Sequence, residues 1–229
     1  MKAPEFIDEA RTPAGELIRL TRESGVLVVH VDGVLLMSSG AHHSEELMAT
    51  IGCKGLRERK DARVLVGGLG LGYTLRAALD EVGPAATVVV SELLDAVVTW
   101  NRGPVGPLAG HPLDDARTVI EVGDLVAYMR SRPAPFDALL FDVDCGPDSF
   151  TSKGNGRLYD KQGLALLHQS LRPGGVLVVW SAYECPPFVQ DLKRAGFAPE
   201  VVTARARGRK GPRHTLYVGR RQGAGRGPR

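Results

Sequence analysis

The chain has 229 residues, 43% of them hydrophobic, 24% charged and 6% aromatic, and its 29 Lys+Arg against 26 Asp+Glu give a formal charge of +3. Such a chain reads as one globular domain with a small appendage, burying roughly 70% of the surface its unfolded form exposes. A wholly disordered protein, a collagen and a disulfide scaffold are excluded. The positive balance is local, because residues 203–229 carry eight Arg and Lys210 and no acid, which leaves 20 bases against 26 acids in the preceding 202 residues.

Three cysteines, Cys53, Cys145 and Cys185, are an odd number without zinc-like spacing, which predicts reduced thiols, no metal site and a cytoplasmic protein. No apolar h-region opens the chain, and no apolar run approaches the ~18–20 residues needed to cross a bilayer, so no membrane partner is expected.

In chain order, residues 16–20, 26–31 and 34–37 read as short strands, with turns at Glu23-Ser24-Gly25 and Asp32-Gly33. Asp-Gly between apolar runs is a strong hairpin signal, and a small N-terminal β-element over residues 1–40 is expected. A helix is predicted from Ser44, with Glu45 and Glu46 in its first turn and an end near Gly52 or Gly55. From residue 64 onward, apolar runs at 64–66, 86–90, 118–120, 138–141 and 176–180 alternate with helix-like stretches near 73–82, 93–102, 124–131, 160–171 and 187–195. Strands apolar on both faces and separated by helices predict a parallel sheet covered on each side, a doubly wound α/β domain over residues 41–221. The run 214–218 alternates and follows a basic loop, as an antiparallel edge strand would, and 222–229 reads as a flexible basic tail.

Ligands of such sheets bind beyond the carboxyl ends of the strands. After the first parallel strand comes Gly67-Gly68-Leu69-Gly70-Leu71-Gly72, where Gly68, Gly70 and Gly72 allow a tight turn and close approach of a ligand to the backbone. The second strand ends at Ser91-Glu92-Leu93, where the Glu92 carboxylate can accept both ribose hydroxyls of an adenosine. After the third, Gly123-Asp124 supplies an acid that accepts from an adenine amino group or caps the following helix, and the two roles are compatible. The fourth ends in Asp142-Val143-Asp144-Cys145-Gly146-Pro147-Asp148, acids that hold a cation or take a proton from an attacking amine, with turn chemistry as the competing account. The loop's Gly-x-Gly-x-Gly spacing disfavours a nicotinamide-dependent oxidoreductase.

In this order, Val64 to Gly72, Ser91-Glu92, Gly123-Asp124, Phe136 to Asp142 and Leu171-Arg-Pro-Gly-Gly-Val-Leu-Val-Val179 resemble the class I S-adenosylmethionine-dependent methyltransferase fold. Within that fold the chain resembles the spermidine/spermine synthase family over about residues 16–220, including Asp32-Gly33-Val34 and Leu158-Tyr159. The resemblance implies a Rossmann-like, mostly parallel seven-stranded sheet with an antiparallel last strand, preceded by a β-hairpin element. It implies a homodimeric transferase that uses S-adenosylmethionine or its decarboxylated form to alkylate a small polyamine-like amine. The donor would lie on Gly68, Gly70, Gly72, Glu92, Leu93, Gly123 and Asp124. Asp142 would deprotonate the amine with Asp144 beside it, and Glu45, Glu46 and Tyr183 would face the substrate. Two departures stand out: Leu71 occupies the place of the family's acid for the donor's amino group, and Glu45-Glu46 replaces a Tyr-Gln pair.

Two readings from other classes are a methyltransferase engaging nucleic acid through the basic run 204–213, and an adenosyl-binding protein without catalysis. No aromatic residue interleaves with residues 205–213, which weighs against the first. His42-His43 is expected to be solvated and Trp100 to pack, while Tyr159 and Tyr183 are candidate pocket walls.

Overall fold

The computed structural model describes residues 3–131, 135–143, 146–147 and 156–223. Four antiparallel strands open the chain, β1 (Glu5–Arg11), β2 (Leu17–Glu23), β3 (Val26–Val31) and β4 (Val34–Ser38), paired in that order as a separate sheet. The first of them was not expected, because Glu5, Asp8, Glu9 and Arg11 leave it little apolar signal. It is an edge strand, and Trp100 Nε1 anchors it by donating to Asp8 Oδ2 at 2.7 Å.

After α1 (His43–Gly52) the main sheet is built from β5 (Arg63–Gly67), α2 (Tyr73–Glu81), β6 (Thr87–Glu92), α3 (Asp95–Arg102), β7 (Thr118–Val122), α4 (Leu125–Ser131) and β8 (Phe136–Phe141). It is completed by α5 (Gly156–Tyr159), α6 (Lys161–Ser170), β9 (Leu171–Ser181), α7 (Pro186–Arg194), β10 (Phe197–Arg207) and β11 (Lys210–Arg221). The strand order is β10-β11-β9-β8-β5-β6-β7, parallel from β9 to β7, with β11 antiparallel to both β9 and β10. The chain order reverses between β5 and β8, and that switch point is where such a sheet leaves a crevice for ligand.

Side chains alternate between two apolar layers, as the period of two in a strand requires. Val64, Val66, Val88, Val90, Leu140 and Val178 pack towards α1, α2 and α3, whereas Leu65, Val89, Leu139, Phe141 and Leu177 pack towards α4, α6 and α7. Helix α1 lies close on the sheet because Gly52 offers no Cβ, which would meet Leu140 Cδ2 at 2.3 Å. No helix among the described residues is long and apolar enough to cross a membrane.

Two expectations are corrected. The run 214–218 is not at the edge: β11 lies between β9 and β10, and its Thr215 to Gly219 are buried. The basic stretch is no loop, since Ala204 to Arg207 and Lys210 to Arg213 are strand residues joined by the turn at Gly208-Arg209. Its five cations, with Gly and Pro among them, made the stretch read as a loop. Tyr159, a candidate pocket wall, is buried, with its ring 5.5 Å from Phe188 in an edge-on arrangement.

At the amino end of β8, away from the crevice, Asp137 is buried and accepts from the Arg63 backbone N–H at 2.8 Å, with Arg172 Nη1 at 2.9 Å and Arg59 Nε at 3.0 Å. Removing this carboxylate leaves a backbone donor unpaired and takes from Arg59 and Arg172 their buried acid, leaving them only the exposed Asp61. Asp137→Ala is therefore expected to cost about 3 kcal/mol in urea unfolding without changing ligand affinity at the other end of the sheet.

Candidate active site

The glycine loop leaves β5 at Gly67 and reaches α2 at Tyr73. Gly68 has φ +85°, and a Cβ there would lie 2.5 Å from the Asp142 carbonyl oxygen, so the loop runs against the tip of β8 in a way only glycine permits. Asp142 N–H in turn donates to the Gly67 carbonyl at 3.0 Å. Gly72 stands at the start of α2, and Met37 of β4 overlies Gly70, which brings the N-terminal sheet to the mouth of the crevice. Asn101 of α3 ties the loop from behind, its Nδ2 donating to the Gly70 carbonyl at 2.8 Å and to the Val97 carbonyl at 2.9 Å.

Glu92 is 8% exposed at the end of β6. Its Oε2 accepts from Leu69 N–H and its Oε1 from Leu94 N–H, each at 2.9 Å, so the acid braces the glycine loop against β6. Burial pushes its carboxyl up and the surrounding backbone N–H groups pull it down, those of Leu69 and Leu94 foremost. Each oxygen keeps a lone pair for a ligand hydroxyl. Leu93 beside it is 52% exposed, an apolar face at the rim. Gly123 N–H donates to the Glu92 carbonyl at 2.8 Å, and Asp124 Oδ1 accepts from Ala127 N–H at 2.7 Å. Asp124 thus caps α4, and its exposed carboxylate retains acceptor capacity towards the crevice.

Asp142 is half-buried just past β8, and burial together with the charge of Glu45 pushes its carboxyl up to about 8. The Glu45 carboxyl is raised as well, by burial above all. The charge of Glu45 thus adds to burial in disfavouring the ionised form of Asp142. Asp144 lies outside the described residues. Glu46 turns away, its Oε1 2.9 Å from His42 Nδ1, and lines a separate cavity of about 510 Å³ with Tyr73 and Asp80. His42 is not merely solvated but stacks on the Tyr73 ring at 4.1 Å. Tyr183, beyond β9, is 75% exposed. Leu71 is 6% exposed and packs in the core, so the glycine loop presents no carboxylate.

A set of residues not singled out in the sequence orients Glu45. The buried Ser44 hydroxyl donates to Glu45 Oε2 at 2.6 Å and accepts from Trp180 Nε1 at 3.1 Å, with His214 Nδ1 at 2.9 Å. A hydroxyl has one proton and two lone pairs. With its proton given to Glu45 and one lone pair taken by Trp180, Ser44 can only accept from His214, which assigns the proton to Nδ1. Burial lowers the His214 pKa, consistent with a neutral ring in that tautomer. A buried Ser at a helix start is the one signal the sequence offered, and it names no partner.

Among the described residues no group of three or more His, Cys, Asp or Glu could hold a metal. Cys53 is buried and its thiol is pushed up to about 12 by burial, which makes it inert.

No family model matches the chain. In sequence it is similar to Polyamine aminopropyltransferase 2 of Pseudomonas aeruginosa, 29% identical over 180 residues that cover 69% of this chain and 47% of that protein. It is also similar to Polyamine aminopropyltransferase of Korarchaeum cryptofilum, 24% identical over 174 residues, 74% of this chain and 51% of that one. The chain thus spans about half the length of these curated relatives. In structure it resembles spermidine synthase from Thermotoga maritima, with a TM-score of 0.73 at 16% identity over 95% of this chain and 72% of that one. It also resembles a spermidine synthase in complex with the transition state analogue AdoDATO, with a TM-score of 0.71 at 17% identity over the same shares. By sequence and by fold alike, the chain is spermidine synthase-like, built on the class I S-adenosylmethionine-dependent methyltransferase fold.

Proposed function

We propose that the chain is a transferase that moves the aminopropyl group of decarboxylated S-adenosylmethionine to a small amine. The observation that carries this reading is Asp142 held against the glycine loop, its N–H on the Gly67 carbonyl and its own carbonyl packed on Gly68, with a carboxyl that burial and the Glu45 charge push up. The loop backbone at Gly68, the free lone pairs of Glu92 and the apolar face of Leu93 fit an adenosine. When bound, the donor supplies a carbon activated by its sulfonium sulfur, which gains a C–N bond as its C–S bond breaks.

The residues of the chain do the rest. Glu92 and Asp124 orient the nucleoside, and Glu45 and Asp142 draw in the ammonium. Asp142 takes the proton that frees the nitrogen lone pair, a role suited to a carboxyl held near neutrality. Aligning the two partners and excluding water supplies most of the acceleration. Glu45 and Asp142 also repel a carboxylate, which favours the decarboxylated donor although Leu71 cannot pair with its ammonium.

The test is product analysis by mass spectrometry after incubation with each donor form and a panel of diamines and polyamines. Methylthioadenosine formed in step with an aminopropylated amine is expected. S-adenosylhomocysteine formed from the carboxylated donor, or no binding of either donor in calorimetry, would overturn the reading.

A further inference from the structure

Behind the amine site, and independent of the function proposed for it, a second cavity of about 590 Å³ opens between α1 and the β10–β11 hairpin. It is lined by His43 and Leu47 from one side and by Thr203, Arg205, Arg209 and Arg213 from the other. The strand register sets Arg205 directly opposite Arg213, and past an irregularity in the ladder Arg207 stands opposite Lys210. Like charges facing each other across an antiparallel pair destabilise it, so two such pairs in succession are a cost the hairpin carries when nothing neutralises them.

Nothing in the described protein does so. None of Arg205, Arg207, Arg209, Lys210 or Arg213 has a carboxylate within ion-pair distance among the described residues. Arg205 spends one N–H on the Gly211 carbonyl at 3.2 Å. His43 has one acidic neighbour, Glu46 Oε2, at 3.7 Å. Three guanidiniums, the Thr203 hydroxyl and an imidazole therefore converge on one concavity with most of their donors unspent.

We propose that this cavity is a binding site for a small divalent oxyanion of the phosphate class, free or as the phosphoryl end of a metabolite. Guanidinium forks match the oxygens of such a group in pairs, which a spherical halide cannot exploit. No Phe, Tyr or Trp lines the cavity, so it lacks the platform of aromatic side chains on which successive bases stack in a groove for single-stranded nucleic acid. His43 and Arg213 directly precede Ser44 and His214, whose side chains are bonded to each other at 2.9 Å. An anion in this cavity therefore sits one residue away from the hydrogen bonds that orient Glu45.

The experiment is thermal unfolding and calorimetry of the full chain with inorganic phosphate against chloride at matched ionic strength, with pyrophosphate and a short single-stranded RNA as further arms. At about 10 mM phosphate the midpoint is expected to rise by about 3–10 °C over the chloride control, as for a ligand of submillimolar affinity. Arg205→Gln/Arg213→Gln should weaken phosphate at least about tenfold and, at low salt without ligand, be no less stable than the parent because the opposed charges are gone. Arg209→Gln, in the turn and outside the strand pairing, should weaken phosphate without touching the register. Tighter pyrophosphate than phosphate would identify a phosphorylated metabolite as the source, and the reverse order free phosphate. Equal midpoints in phosphate and chloride, an unchanged phosphate response in both variants, or RNA binding tighter than either phosphate would overturn the proposal.

Discussion

Asp142→Asn is expected to lower turnover by about 10²- to 10⁴-fold, the usual contribution of a positioned general base, while making the ligand-free protein more stable in alkaline solution. The sign follows from linkage. The Asp142 carboxyl is pushed up to about 8 in the folded chain by burial and by Glu45, against an ordinary value of 3.8. Its favourable contribution is complete below the ordinary value and is lost as pH rises through the folded one, because the unfolded state then carries the charge more cheaply. Asparagine never ionises. The midpoint difference between variant and parent should therefore be near zero at about pH 4, grow across the interval and level off above about pH 8. A difference that is flat with pH, or turnover retained by the variant, would remove Asp142 as the base. The same proton should leave when a cationic amine binds, which calorimetry in buffers of different ionisation enthalpy reads as up to one proton released near pH 7.

Glu92→Gln should have the second large effect, and for two separable reasons. In the folded chain one carboxylate oxygen accepts from Leu69 N–H and the other from Leu94 N–H. A glutamine has a single oxygen, so its NH₂ must face one of those donors and leave a buried N–H unpaired, at a cost of about 1–3 kcal/mol. The adenosyl ligand loses charge-assisted bonds to its ribose hydroxyls as well, worth about 1.5–3 kcal/mol each, so its affinity should fall by about 10²- to 10⁴-fold. Urea unfolding measures the first effect and calorimetry the second. Unchanged donor affinity in a folded variant would show that Glu92 only braces the loop.

Strands β5, β6, β8 and β9 were legible because burial on both faces gives each a continuous apolar run, and the helices between them carry their own period; β7, at the sheet edge, was legible from its apolar residues although none of them is buried. The residues placed at the strand ends, Gly68, Glu92, Asp124 and Asp142, do lie beyond the carboxyl ends of the strands, since a parallel sheet brings all those ends to one side. Elsewhere charge hid the pattern. β1 and the outer part of β10–β11 are strands rich in acids or in arginine and lysine, and a charged strand reads as a loop until its partner is known.

What the amino-acid order determined by itself, then, is everything local: the α/β alternation, the glycine turn, and which acids stand at strand tips. What only the tertiary structure decided is which of those charges meet. Glu45 is held by the Ser44 hydroxyl, whereas Glu46 turns to His42. Ser44 finds His214 across 170 residues of chain, and Arg205 is set against Arg213. The reason is physical. Secondary structure follows from the spacing of apolar groups over a few residues, whereas proton sharing, tautomer choice and charge repulsion depend on distances of a few ångströms between groups far apart in sequence. Those distances exist only once the sheets have packed.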